Sequence, residues 1–138
     1  MTRKRLDQYL ALKREIKLLE NEIDRIRTRS KESVADTVSG SSSSFPYIRR
    51  TFIISGHSQK DLELISKKTE RLKERKERAV IEAEAIDAFI DQISDSHMRQ
   101  ILYMKYLKGM SWRQVARHLG GGNTEDGVRM KVARFFEE

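Results

Sequence analysis

The stretch Ser111–Arg134, SWRQVARHLGGGNTEDGVRMKVAR, places two short amphipathic segments on either side of three consecutive glycines. Its opening serine is followed three residues later by Gln114, a capping box that predicts the start of a helix. Gly120–Gly122 can adopt the positive φ angles of a sharp turn because glycine has no Cβ. Asn123 or Thr124 is then placed to cap a second helix. The stretch therefore predicts two helices joined by a tight turn.

A third helix is expected just before this stretch, at about residues 97–107, with Ser94 or Ser96 as its cap and Gly109 after its end. Ala116, in the middle helix, is small enough for a neighbouring helix to cross closely. The positions expected to face inward are Met98, Ile101, Leu102, Val115, Ala116, Leu119, Val128, Val132 and Phe135, together with part of Tyr103 or Tyr106. Residues 94–138 are therefore predicted to form a three-helix domain of helix-turn-helix type.

Two heptad patterns precede this domain, in helices predicted at about residues 4–29 and 58–93. Ser58 is the expected cap of the second helix. The seam positions of the first are Tyr9, Leu12, Ile16, Leu19, Ile23 and Ile26. Those of the second are Leu62, Ile65, Thr69, Leu72, Lys76, Ala79, Ala83, Ile86, Ile90 and Ile93. We expect residues 1–93 to form an antiparallel helical hairpin or coiled coil, within one chain or shared between subunits.

Residues 32–57 are predicted to connect the two long helices. Gly and Ser lower helix propensity, and Pro46 disfavours a helical conformation for the residue before it, so the first helix should end before Val38. Residues 47–54, rich in β-branched and aromatic side chains, predict a short strand or an extended arm. The expected fold class is thus all-α, with a Ser-rich or extended connection.

Composition limits the classes of partner. The 138 residues are 38% hydrophobic and 36% charged, and 28 Lys and Arg against 21 Asp and Glu give a net charge of +7. This basicity points to an acidic partner such as nucleic acid. The chain has no cysteine, which excludes disulfides and cysteine-based zinc sites, and no long apolar run that would span a membrane. A protein of the cytoplasm, without a membrane partner, is expected.

Enzymatic chemistry is not expected from this sequence. One helical face carries three acidic residues, Glu84, Asp87 and Asp91. A divalent-metal or acid–base site is conceivable there, but runs of charged residues on helices usually form solvated faces. Gly120–Gly122 is not followed by the Lys-Ser/Thr pair of a phosphate-binding loop. The three histidines lack ligand spacing. The sequence therefore predicts no enzyme, no metal site and no cofactor.

The C-terminal residues resemble region 4 of bacterial sigma factors. The resemblance lies in Tyr103–Tyr106, Gly109–Ala116, Leu119 and Val128–Arg134. Over most of its length the chain also resembles small phage-encoded regulators that carry this module, with a middle segment like residues 38–47. These resemblances imply a phage or prophage DNA-binding protein that regulates transcription and that can act with host RNA polymerase.

Helix position and the resemblance together assign candidate DNA-binding residues. The N-terminal part of the last helix of a helix-turn-helix enters the major groove, and an acid there can accept a hydrogen bond from a cytosine amino group. The residues expected near base edges are Thr124, Glu125, Asp126, Arg129 and Met130. Those expected at phosphates are Arg113, Arg117, Lys131 and Arg134. The first interpretation is a homodimeric, sequence-specific regulator of double-stranded DNA.

Two other functions are compatible with the same pattern. Small terminase subunits of DNA-packaging machines also join a helix-turn-helix to helical oligomerisation segments, and a ring of many subunits would favour that role. Alternatively, the coiled coil is an adaptor surface and residues 94–138 dock on RNA polymerase. Binding of polymerase without affinity for DNA would favour the adaptor.

Overall fold

The computed structural model describes the backbone of residues 1–41 and 58–138 and the side chains of residues 1–29 and 58–138. Regular structure in these residues is entirely helical, which confirms the predicted all-α class for this part of the chain. The helices are α1 (Arg3–Ser41), α2 (Gln59–Asp91), α3 (Ser96–Leu102), α4 (Trp112–Leu119) and α5 (Glu125–Glu137), and a π-helical turn (Tyr103–Leu107) follows α3.

The predicted end of the first helix is wrong. Helix α1 continues to Ser41, through twelve residues beyond the expected end at 29 and into the predicted connection 32–57. Each residue added to an existing helix fixes one residue for one further hydrogen bond. Serine and glycine therefore raise the cost of each step, by at most about 1 kcal/mol per residue, without ending the helix. The predicted extended segment 47–54 lies outside the described residues.

Contacts divide the chain into a first unit, residues 1–14 with 77–138, and a second unit, residues 15–76. The division expected from sequence lay between residues 93 and 94. The core of the first unit draws on both sides of that position, since Leu6 and Ile86 lie in the same cluster as Val115 and Val128. Whether residues 94–138 fold independently therefore stays a prediction.

The first unit contains one apolar core. Its completely buried side chains are Leu6, Ile86, Ile101, Leu102, Tyr106, Val115, Val128 and Val132. Phe89 on α2 and Phe136 on α5 stack with ring centroids 6.3 Å apart, at the edge of this core. At the surface the Arg5 guanidinium donates to the Glu82 carboxylate at 3.0 Å, and this hydrogen bond lowers the pKa of Glu82. The first turns of α1 are thereby attached to α2.

The second unit has a much smaller core, in which Ile23, Ile26 and Ile65 are buried. Around it α1 and α2 form ion pairs. Residues 15 and 20 of α1 pair with residues 75 and 76 of α2, and residues 22 and 29 pair with residues 68 and 61, so the paired segments are antiparallel. These pairs are Glu15–Arg75, Glu20–Lys76, Glu22–Lys68 and Arg29–Asp61. Exposed pairs of this kind contribute little to stability individually. They fix the register of two helices that share few apolar contacts.

The helix predicted at about 97–107 is present, but its cap and its last turn differ from the prediction. Its cap is Asp95, whose Oδ1 accepts from the His97 amide at 2.9 Å, and not Ser94 or Ser96. Its last turn is π-helical, with the Lys108 amide donating to the Tyr103 carbonyl at 3.0 Å. The wider turn places both Met104 and Tyr106 in the core and leaves Tyr103 41% exposed. Helical periodicity alone does not predict such an insertion.

The buried Tyr106 phenol is expected to make the protein less stable at alkaline pH. Burial raises its pKa to about 12, with a further contribution from the charge of Asp7, whose Oδ1 accepts from the Tyr106 hydroxyl at 3.4 Å. The phenol of the unfolded chain ionises near pH 10. The stability that the neutral, buried phenol gives the folded protein is therefore fully present below pH 10 and is lost as the pH rises towards about 12. The expected loss in the free energy of unfolding is about 3 kcal/mol. Urea unfolding at several pH values should show it, and Tyr106→Phe should remove it; an unchanged pH profile in that variant contradicts the assignment.

Candidate nucleic-acid interface

Helix α4 begins at the predicted capping box. The Ser111 hydroxyl accepts from the Gln114 amide at 3.2 Å, and the Gln114 side chain accepts from the Ser111 amide at 2.9 Å. Both amides at the start of the helix are thereby satisfied. Val115 and Ala116 are buried on the inner face of α4. The predicted start and inner face of this helix are therefore confirmed.

The glycine turn connects α4 to α5 through three successive positive φ angles: +64° at Gly120, +59° at Gly121 and +78° at Gly122. Side chains other than glycine rarely adopt this conformation. Thr124 is the cap of α5, because its hydroxyl accepts from the Gly127 amide at 3.1 Å. The turn and one of the two predicted caps are thus confirmed, and they set where α5 begins.

Helix α5 presents a polar outer face. Its inner positions Val128 and Val132 are completely buried. Asp126, Met130 and Arg134 recur every four residues and form the exposed line opposite them. At 100° per residue, Arg129 and Lys131 flank this line on its two sides, and both are exposed. Cations therefore border the outer face of α5 on both sides.

Three polar contacts lie at the glycine turn and the first turns of α5. The Arg129 guanidinium donates to the Asp126 carboxylate at 2.7 Å, on side chains that are 50% and 79% exposed. Lys131 Nζ donates to Asn123 Oδ1 at 3.4 Å, and Asn123 Nδ2 donates to the Gly120 carbonyl at 2.6 Å. Sequence reasoning considered Asn123 only as a cap. In the structure Asn123 instead forms hydrogen bonds to both the Gly120 carbonyl and the Lys131 ammonium, and so connects the turn to α5.

Helix α4 carries the other two candidate cations. Arg113 and Arg117 are four residues apart, so they share one face of α4, and both are exposed. Helix α5 packs directly against α4. All nine candidate residues are exposed, and within the described chain the contact recorded among them is Asp126–Arg129. The side chains are therefore accessible from solvent on two adjoining helices.

Trp112 is half-buried and packs against the core of the first unit. The Lys105 ammonium lies 4.7 Å from the centroid of its indole ring. Burial lowers the pKa of Lys105, and the charge of Arg14 lowers it further. Sequence reasoning missed this pair, because residues seven positions apart across a loop carry no local signal of contact.

Within residues 1–29 and 58–138, whose side chains are described, no three His, Asp or Glu side chains are grouped so that they could hold a metal ion. Glu84, Asp87 and Asp91 are all exposed on α2. No helix in the described part of the chain has the length and apolar character that crossing a membrane requires.

No protein-family model matches the chain, and comparisons with curated proteins and with solved structures give no significant match.

Proposed function

We propose that the protein is a sequence-specific DNA-binding regulator of transcription, acting as a homodimer through a sigma region 4-like helix-turn-helix formed by α4 and α5. The observation that carries the proposal is the start of α5. Gly120–Gly122 and the Thr124 cap end one helix and begin another within five residues, and the second helix carries exposed basic side chains beside its N-terminal turns. A helix inserted in the major groove needs this exposure.

In the proposed complex the outer face of α5 lies in the major groove. Arg129, near its start, can donate two hydrogen bonds to a guanine, and the Met130 side chain, which is 52% exposed, can contact a thymine methyl group. Arg113 and Arg117 on α4 are assigned to phosphates, as are Lys131 and Arg134 on α5. Phosphate contacts position the protein and base contacts discriminate between sequences.

The two acidic residues in the first turn of α5, Glu125 and Asp126, also affect DNA binding in this proposal. Asp126 holds Arg129 at 2.7 Å in the free protein. In the groove the Asp126 carboxylate can instead accept from a cytosine amino group, beside the guanine that Arg129 contacts. Glu125 lies one residue earlier, where a carboxylate favours the helix N-terminus but repels a nearby phosphate. The proposed target is therefore a site that contains G·C pairs.

The proposal also covers the role of the long helices and the partners of the protein. The antiparallel pairing of α1 and α2 is proposed to form a hairpin that separates two DNA-binding domains, in a protein of phage or prophage origin working in the cytoplasm. Contact with host RNA polymerase is compatible with this arrangement. Neither genome packaging nor a DNA-independent adaptor is favoured by a particular contact in the structure.

The test is selection of bound duplexes from random DNA, followed by titration of the selected duplex at increasing salt. Because phosphate contacts release counterions, affinity should fall about 10³-fold or more between about 50 and about 200 mM salt. Lys131→Ala should weaken binding to all duplexes and reduce the salt slope by about one. The matched control is Lys73→Ala, an exposed lysine of the second unit, which should change neither quantity.

Failure to bind any duplex at low salt would contradict the proposal. A ring of many subunits that binds DNA would support packaging in its place. Capture of RNA polymerase by a chain without DNA affinity would support the adaptor.

A further inference from the structure

The stretch from residue 97 to residue 124 carries positive charge without any acidic residue. It runs from the first turn of α3 to the cap of α5 and contains five Lys and Arg, whereas 21 residues of the whole chain are acidic. These cations are Arg99, Lys105, Lys108, Arg113 and Arg117. The Arg99 guanidinium donates to the Ile93 carbonyl at 2.6 Å. None of the other four forms an ion pair with a side chain of residues 1–29 or 58–138. The stretch therefore gives the first unit a positively charged surface.

The start of α1 adds further positive charge beside this stretch. Residues 1–14 contain five Lys and Arg and a single acid, Asp7. The Asp7 carboxylate accepts from the Tyr106 hydroxyl at 3.4 Å, which shows the face of α1 that meets the π-helical turn. Arg14 lies seven residues after Asp7, two helical turns further along the same face and about 10 Å away along the helix axis. Arg14 is therefore on the side of α1 that meets the π-helical turn, and it is exposed.

Lys105, in the π-helical turn, is fixed by its surroundings. Its ammonium lies 4.7 Å from the centroid of the Trp112 indole ring, and its side chain is half-buried. Burial lowers the pKa of Lys105 and the charge of Arg14 lowers it further, so the two cations repel each other. Neither has an ion-pair partner within residues 1–29 and 58–138. An anion that contacts both would relieve this repulsion.

We propose that Arg14 and Lys105 bind phosphates of the DNA backbone beside the half-site that α5 reads. We call these two residues the flank site. The indole under Lys105 belongs to the first residue of α4, and Arg113 is the next residue, so the flank site continues the phosphate contacts assigned to α4. The inference rests on the proposed function and extends it, because it adds a contact from α1, which lies outside the helix-turn-helix.

The position of the flank site indicates how far the contact reaches. Helix α4 has eight residues, with Lys105 at its first residue and the glycine turn after its last. Eight residues extend for about 12 Å, which is the rise of about three to four base pairs. One DNA strand carries a charge about every 3.4 Å along its axis, so a single backbone can meet the flank site and the α4 arginines together. A small anion would neutralise only part of this surface.

Titration of the full chain at increasing salt tests the flank site on two duplexes. One ends at the selected half-site, and the other extends about ten base pairs beyond it on each side. Lys105→Met removes the charge but keeps a stem that covers Trp112, and Arg14→Gln removes the charge of an exposed side chain. On the long duplex each variant should reduce the salt slope by about 0.9, so that the affinity lost between about 50 and about 200 mM salt becomes about 3.5-fold smaller. On the short duplex neither variant should change the slope.

The matched controls are Lys73→Met and Arg71→Gln, the same exchanges at exposed cations of the second unit. They should leave the slope unchanged on both duplexes, and Lys105→Arg should keep the wild-type slope because it keeps the charge. Circular dichroism and the thermal midpoint should confirm that each variant is folded. If Lys105→Met is unfolded, Arg14→Gln decides, since its side chain is exposed. An unchanged slope on the long duplex, equal changes on both duplexes, or an equal change in the controls would overturn the flank site. Loss of RNA polymerase capture without a change in slope would also overturn it, in favour of an acidic protein partner.

The same titrations separate this inference from the proposed function. If Lys131→Ala changes the slope and the flank-site variants do not, the flank site alone is wrong. If the flank-site variants change the slope while Arg129→Ala and Lys131→Ala have no effect, the role of α5 in the proposed function is wrong and the flank site stands. A wild type that binds neither duplex contradicts both.

Discussion

Replacement of Ile101 by alanine is expected to lower the free energy of unfolding by about 2–5 kcal/mol. Ile101 is completely buried in the core to which all five helices contribute. Removing three carbon atoms there loses the transfer free energy of the side chain and leaves a cavity. Small domains have total stabilities of about 5–15 kcal/mol, so the variant should lose a large part of this margin.

Urea unfolding followed by circular dichroism measures this change. Leu18→Ala is the matched control, because that leucine is 68% exposed and should change stability by less than about 0.5 kcal/mol. A loss for Ile101→Ala that is no larger than in the control would show that the core of the first unit is not organised as described. The comparison needs no assumption about function.

Replacement of Arg129 by alanine is expected to reduce discrimination between the selected duplex and a duplex with one altered G·C pair by about 1–3 kcal/mol, or about 5- to 150-fold. The guanidinium is 50% exposed and lies on the flank of the outer face of α5. Competition binding at fixed salt measures the discrimination. Lys131→Ala is the contrasting variant, since it should weaken binding to both duplexes equally.

A double-mutant cycle with Asp126→Ala tests how the two side chains act together. They are 2.7 Å apart, so their effects on discrimination should not add. If Arg129→Ala weakens all duplexes to the same degree, its assignment to a base edge is wrong and Arg129 is a phosphate contact. Additive effects would show that the ion pair of the free protein has no part in recognition.

The features predicted best are those determined by neighbouring residues. The Ser111–Gln114 capping box, the positive φ angles of the glycine turn and the inward positions Val128 and Val132 all follow from spacings of four residues or fewer. Local backbone sterics and helical periodicity act over that range. The candidate DNA-contacting residues were assigned from helix position together with the resemblance to sigma region 4, and their roles remain predictions.

The features that sequence reasoning missed depend on distant residues or on small energy differences. Helix α1 continues past residue 29 because low propensity weakens a helix without stopping it. The π-helical turn at Tyr103–Leu107 places Tyr106 in a core whose other members come from five different helices. No pattern within the turn itself indicates which of its two tyrosines is buried.

The all-α class of the described residues and the position of the helices around the glycine turn can be predicted from local patterns, because capping, glycine φ angles and apolar periodicity act between near neighbours. Tertiary structure alone decided that Leu6 and Tyr106 share a core, that Lys105 covers Trp112, and that Val80 and Ile81 stay exposed. These outcomes depend on which faces meet after residues far apart in the chain have come together. Burial is a property of that packing, and a periodic pattern identifies an apolar face without identifying its partner.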